Sequence, residues 1–286
     1  MTGIGMVFRP SHPPERLLEV ARAADESGLD ELWLWEDCFE NAGISAAGAA
    51  LGATSRLTLG VGVLPVPMRN AALAAMEIAT LARMFPGRVQ IGFGHGVLDW
   101  MGQVGARAES PMTLLREYVT AVQSLLGGET VTADGRYVRL SDVTLAHPPT
   151  PKPPIHVGAV RPKTVALAGE LADGMVLTGG SRIADVEAAR EIFDAARGGR
   201  PGRVTTYLMA VTGPGAAERY AAEYEHWRLT DDPDSVGVHG DAAAIADGVR
   251  RWAQAGSDVV VLQPTADDDP VEYARFAGSQ VRPLVG

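Results

Sequence analysis

The 286-residue chain has a single cysteine, Cys38, so no disulfide can form within it. A reducing cytoplasm is the expected compartment. No apolar run is long enough to span a bilayer. No charged N-terminal region followed by an apolar one marks a secretory signal. Basic residues are outnumbered, 25 Lys and Arg against 35 Asp and Glu, for a formal charge of −10. That balance argues against a nucleic-acid partner and against an anionic membrane surface. His12, His147, His156, His226 and His239 show no metal-ligand spacing, and no His-Glu-x-x-His occurs, so no metal is expected. There is no Walker motif and no G-x-S-x-G elbow. The G-x-G-x-x-G dinucleotide fingerprint fails as well, because its third glycine would have to stand where Val97 is.

Short apolar segments rich in Val, Ile and Leu recur along the chain. The pattern predicts strands at 3–8, 31–35, 57–63, 89–93, 155–158, 175–178, 204–211 and 258–262. Helical periodicity fills the intervals at 13–27, 45–53, 71–84, 112–126, 162–171, 183–197 and 242–255, with a shorter closing helix at 270–277. Three junctions, 24–30, 168–174 and 253–258, end a helix near a glycine and start a strand at once. This is the grammar of an α/β chain, a single (β/α)8 TIM barrel over residues 1–286. Residues 127–154 interrupt it after the fourth helix. Asp134-Gly135 between two alternating runs predicts a β-hairpin insertion, and His147 to Pro154 returns extended. The segments 198–203 and 231–240 read as loops.

The densest region runs from Leu57 to Gly96. Two strands there end in glycine-rich turns, Gly60-Val-Gly-Val63 and Gly92-Phe-Gly-His-Gly96. Barrel ligands lie at the carboxyl ends of the strands, where glycine lets backbone approach a flat ring. His95 stands at this rim, placed to donate a proton or to bond a cofactor ring. Glu36-Asp37 follows the second strand directly. Glu36 is a ligand-contact candidate, and Asp37 suits the N-cap of the next helix. Cys38 has no base beside it and reads as a packed neighbour. The loop Gly158-Ala159-Val160-Arg161 opens a helix whose first amides, with Arg161 and Lys163, could hold phosphate. Trp100, Met101 and Gln103 could line a pocket on the same rim.

Taken together, Leu59-Gly-Val-Gly-Val-Leu-Pro65, Arg69-Asn70, Pro86-Gly-Arg88, Gly92 to Gly96, Pro162-Lys163 and Ala172-Asp-Gly174 resemble the bacterial luciferase-like family. These are barrel oxidoreductases that use FMN or the deazaflavin coenzyme F420, and the resemblance covers nearly the whole chain. It implies a non-proline cis peptide at Gly62-Val63 behind the cofactor ring. It implies ring contacts from Glu36, His95 and Gly96, and a phosphate site at Gly158, Ala159, Val160 and Arg161. Glu36-Asp37-Cys38 departs from the Asp-His that the family usually carries there. The resemblance favours an F420-dependent oxidoreductase that transfers hydride to or from a small organic substrate, with His95 and Glu36 as the catalytic candidates. The alternatives are an FMN-dependent monooxygenase served by a partner flavin reductase, and a barrel that binds cofactor without turnover. It also implies a homodimer packed through the second and third helices, which the alanine-rich 45–53 and 71–82 would suit.

Overall fold

The computed structural model describes residues 2–286. The strands β1 (Gly3–Phe8), β2 (Glu31–Leu34), β3 (Thr58–Pro65) and β4 (Val89–Gly94) alternate with the helices α1 (Leu17–Ser27), α2 (Gly43–Gly52) and α3 (Ala71–Met84). Two helices follow β4: a short α4 (Leu98–Gln103) and the long α5 (Pro111–Leu126). The hairpin β5 (Val131–Asp134) and β6 (Arg139–Val143) leads to β7 (Ile155–Gly158), α6 (Pro162–Leu171), β8 (Gly174–Leu177) and α7 (Ile183–Arg197). Then come β9 (Arg203–Val211), α8 (Ala216–His226), α9 (Pro233–Val236) and β10 (Gly237–His239). The chain closes with α10 (Ala242–Gln254), β11 (Val259–Gln263), α11 (Pro270–Phe276) and a last turn, α12 (Arg282–Val285).

Eight parallel strands in the order β1-β2-β3-β4-β7-β8-β9-β11 form a closed barrel, with β11 hydrogen-bonded back to β1 and β8 to β9. All eight predicted strands are in it. The ninth, β10, extends the barrel wall. It pairs with the end of β9 (Met209–Val211), beyond the Arg203–Thr206 stretch that β8 covers. No helix among the described residues is long and apolar enough to cross a membrane.

Strands covered on both faces need two cores. The outer one packs strand side chains such as Ile4, Leu32, Leu59 and Ile91 against Ala21, Ala74, Ile78 and Leu115 of the helices. The inner one fills the barrel with Val7, Trp33, Val176, Tyr207, Val259 and Val261. Polar groups sit below it. Glu31 accepts from Trp33 Nε1 (2.7 Å) and Gln90 Nε2 (2.8 Å), and it pairs with Arg203. His156 is wholly buried beside them. Burial lowers its pKa to about 3, so the imidazole is neutral.

Local sequence explains most boundaries. Gly28 ends α1 with φ 88°, the left-handed cap expected there. The junction at 168–174 differs. The residue after α6 is Ala172 in extended conformation, and Gly174 is needed for a different reason. A Cβ on it would lie 2.3 Å from His156 Nδ1 and 2.6 Å from the Arg203 carbonyl. The hairpin also differs in detail. Asp134-Gly135 does not form a two-residue turn, because residues 135–138 form a longer loop that Glu117 organises. Its carboxylate accepts from the Arg136, Tyr137 and Val138 amides. Gly135 lies so close that a Cβ would come within 2.5 Å of that carboxylate. The segment 231–240, expected as a loop, contains α9 and β10, and the sequence pattern missed α4 and α8 as well.

Candidate active site

At the third strand the backbone departs from a regular ladder. The Gly62–Val63 peptide is cis, as the resemblance implied, and the register with β4 slips between Val61 and Leu64. The bulge turns the Val63 side chain toward β4 and β7. Three glycines make room for it: a Cβ on Gly94, Gly158 or Gly92 would approach Val63 to 2.5, 2.8 or 3.0 Å. These glycines, which in sequence suggested backbone open to a ligand, therefore serve the bulge. Across the barrel, Tyr207 of β9 donates its hydroxyl proton to the Gly62 carbonyl at 3.0 Å, which fixes the bulge. Tyr207 itself packs against Trp33 and Trp35, with ring centroids 6.0 and 5.8 Å away.

Above this floor lies a cavity of about 450 Å3 at the C-terminal mouth of the barrel. Gly62, Val63 and Pro65 form one wall. Met209, Trp227 and Leu229 belong to the β9 side, four strands away and so opposite. Trp35, Glu36, Asp37, Gly96, Val97 and Trp100 complete the β2 and β4 edges, and Thr178, Gly179 and Gln263 close the remaining rim. A smaller cleft of about 200 Å3 adjoins it through Thr178 and Gly179. Val160, Gly180, Ser181 and Asp185 line that cleft at the starts of α6 and α7.

Of the expected residues, Glu36, Gly62, Val63 and Gly96 meet in the main cavity, and Val160 reaches the adjoining cleft. Gly158, packed on Val63, and buried Ala159 stand behind the lining, and Arg161 is exposed at the N-cap of α6. His95 follows β4 but does not line the cavity. Its ring is half-buried with Nδ1 enclosed. Burial lowers its pKa, and a contact with the Pro111 backbone opposes that. Glu36 is committed to the scaffold. It accepts two hydrogen bonds from Arg69, at 2.6 and 2.8 Å, and one from the Gly43 amide at 2.7 Å. That last bond corrects the reading of Asp37 as a helix cap. α2 starts at Gly43 with Ala42 at its N-cap, and Glu36 takes the amide there.

Asp37 is instead the cavity's free acid. Burial, reinforced by Glu40, raises its pKa to about 6 against the opposing influence of Arg9 and Trp35. The neighbouring Cys38 thiol is also pushed up, by burial first and then by Glu36 and Asp37, and stays protonated. Sequence reasoning missed Met209, Trp227, Leu229, Thr178 and Gln263. Trp227 and Leu229 lie just beyond α8, whose polar composition hid both the helix and the wall that it holds.

The geometry suits a flat ring. The bulge wall, Gly62, Val63 and Pro65, shares its cavity with the flat indoles of Trp35 and Trp100, and the adjoining cleft opens past the starts of α6 and α7. Comparison with known proteins agrees. The chain is 34% identical over 283 residues to an F420-dependent glucose-6-phosphate dehydrogenase of Microbacterium testaceum, a match covering 92% of this chain and 76% of that protein. It is 33% identical over 186 residues to a 5,10-methylenetetrahydromethanopterin reductase of Methanolobus tindarius, covering 65% of this chain and 56%, little more than half, of that one. The solved structure of an F420-dependent secondary alcohol dehydrogenase superposes with a TM-score of 0.86 at 22% identity, covering 100% of this chain and 99% of the other. The profile of the luciferase-like monooxygenases matches residues 3–259, and the chain belongs to that family.

Proposed function

We propose that this chain is an F420-dependent oxidoreductase that moves hydride between the deazaflavin and a small organic substrate. The observation that carries the reading is the cis bulge at Gly62–Val63, held by Tyr207 and bedded on three glycines, which forms one wall of the barrel-mouth cavity. The relative at 34% identity is named for F420, which supports the deazaflavin over FMN. Bound there, the deazaflavin would supply or accept the hydride. The protein's own residues do the rest. Gly62, Val63, Gly96 and Glu36 border the ring site, with Glu36 fixed by Arg69. Val160 in the adjoining cleft, with Arg161 and Lys163 at the start of α6, forms the tail side, backed by Gly158 and Ala159.

Asp37 has the properties of the group that holds the substrate proton. It faces the cavity, and its pKa of about 6 lets it exchange that proton near neutrality. His95 stands beside the lining Gly96 on the turn after β4. The exposed apolar stripe on α3, Leu73, Met76 and Met84, suits a homodimer, as the resemblance implies. A cytoplasmic setting fits the single cysteine.

The tail side can be tested directly. Replacing Arg161 and Lys163 together with Glu should weaken F420 binding at least tenfold, with the melting temperature unchanged because both side chains are exposed. Unchanged affinity would remove the β7–α6 loop from the site.

A further inference from the structure

The charges around the cavity are arranged in an informative way. The guanidinium groups bonded to the lining, or to the group that holds it, are both paired. Arg69 is held by Glu36 on two hydrogen bonds and by Glu77 at 3.3 Å. Arg9 is buried against Glu223 at 2.6 Å and also donates to the Pro264 carbonyl. Glu223 accepts a second bond from Trp227 Nε1 at 2.7 Å, so the buried ion pair also fixes the Trp227 ring that lines the cavity. Tyr207 is committed to Gly62. The lining residues left with unspent side-chain polar groups include Asp37, Thr178, Gln263 and Trp35, whose buried Nε1 has no partner. None is a cation, and the one acid would repel an anion.

The rest of the surface is apolar, dominated by Trp35, Trp100, Trp227, Met209 and Leu229. We infer that the substrate of this cavity is an uncharged, largely apolar molecule with one oxygen function, such as a cyclic ketone or its alcohol, and that phosphorylated sugars are excluded. The inference rests on the reading of the cavity as the substrate and ring site. It separates this chain from its relative named for glucose 6-phosphate. A phosphate needs charge-assisted donors, and burying it without them costs several kcal/mol. An apolar ring gains from contact with the indoles, while its oxygen can accept from the Gln263 amide.

The test is calorimetric titration of the purified full chain with cyclohexanone and, separately, with glucose 6-phosphate. Parallel titrations use Trp227→Ala, and a separate titration with F420 checks the cofactor reading. The inference expects saturable cyclohexanone binding that weakens at least fivefold in Trp227→Ala, and no heat from glucose 6-phosphate at the same concentrations. Leu229→Arg, which places a cation on the wall, should bring in glucose 6-phosphate binding. Wild-type binding of glucose 6-phosphate, or cyclohexanone binding indifferent to Trp227, would overturn the inference. So would F420 binding with neither small ligand detected, which leaves the cofactor reading intact. Cyclohexanone binding without F420 binding would uphold the apolar pocket and overturn the cofactor reading instead.

Discussion

At the residue scale, two adjacent acids have opposite fates. Glu36 is tied down by a guanidinium and a helix amide and acts as scaffold. Asp37, one position on, faces the cavity with only partial compensation. Its ordinary pKa of 3.8 rises to about 6 in the folded protein, so the folded state binds the proton more tightly than the unfolded chain. The stabilising effect of that proton is complete at pH values below about 4 and is lost as pH rises through about 6. Above that, the ionised carboxylate costs on the order of 1–2 kcal/mol, with allowance for its partial exposure. Asp37→Asn should therefore raise the melting temperature at pH 8 and leave it unchanged at pH 4. The same variant should lower turnover roughly 100-fold, the lower end for loss of a general acid or base. A wild-type pH profile in the variant would contradict this role. Asp37 and Glu36 were visible in the sequence as a pair at a strand end. Which of them would be spent on Arg69 was not, because the partner lies 33 positions away and the choice depends on tertiary packing.

At the scale of elements, the β3 bulge and its glycine bed form one unit. Gly92, Gly94 and Gly158 come from two strands, yet all three meet Val63. Gly94 has no need of left-handed backbone, so its replacement tests space alone. Gly94→Ala should cost about 1–3 kcal/mol by overpacking. Val63→Ala in the same chain should recover much of that loss, a coupling that a double-mutant cycle in urea measures. Additive effects would mean the bulge tolerates the methyl by moving elsewhere. The resemblance had marked the cis bond, and the strands were legible from their short apolar runs. The glycines' real neighbour was not legible, since a turn glycine and a glycine facing a side chain across two strands look alike in sequence. A different cause hid α8. The run Glu218-Arg-Tyr-Ala-Ala-Glu-Tyr-Glu225 is helical but mostly polar, with only Tyr220 and Glu223 buried, so its periodicity is weak.

At the scale of the whole molecule, the closed barrel followed from the alternation of short strands and helices, and the position of the cavity followed from the rule that such barrels place their sites at the carboxyl ends. Outside the mouth, a groove of about 510 Å3 runs between α3 and residues 143–147, beside exposed Met76 and Met84. If this face joins two copies, Met76→Glu with Met84→Glu should halve the mass seen by light scattering while leaving the far-ultraviolet circular dichroism unchanged. A wild-type monomer would dismiss the dimer.

The central claim is that the bulge-walled cavity is built for F420. The most direct measurement is equilibrium titration of the purified protein with F420 and with FMN in one buffer, each repeated with Gly94→Ala. The account predicts saturable F420 binding in the wild type, at least tenfold weaker binding of FMN, and a clear loss of F420 affinity in the variant. Tighter binding of FMN, or F420 binding indifferent to Gly94, would contradict it.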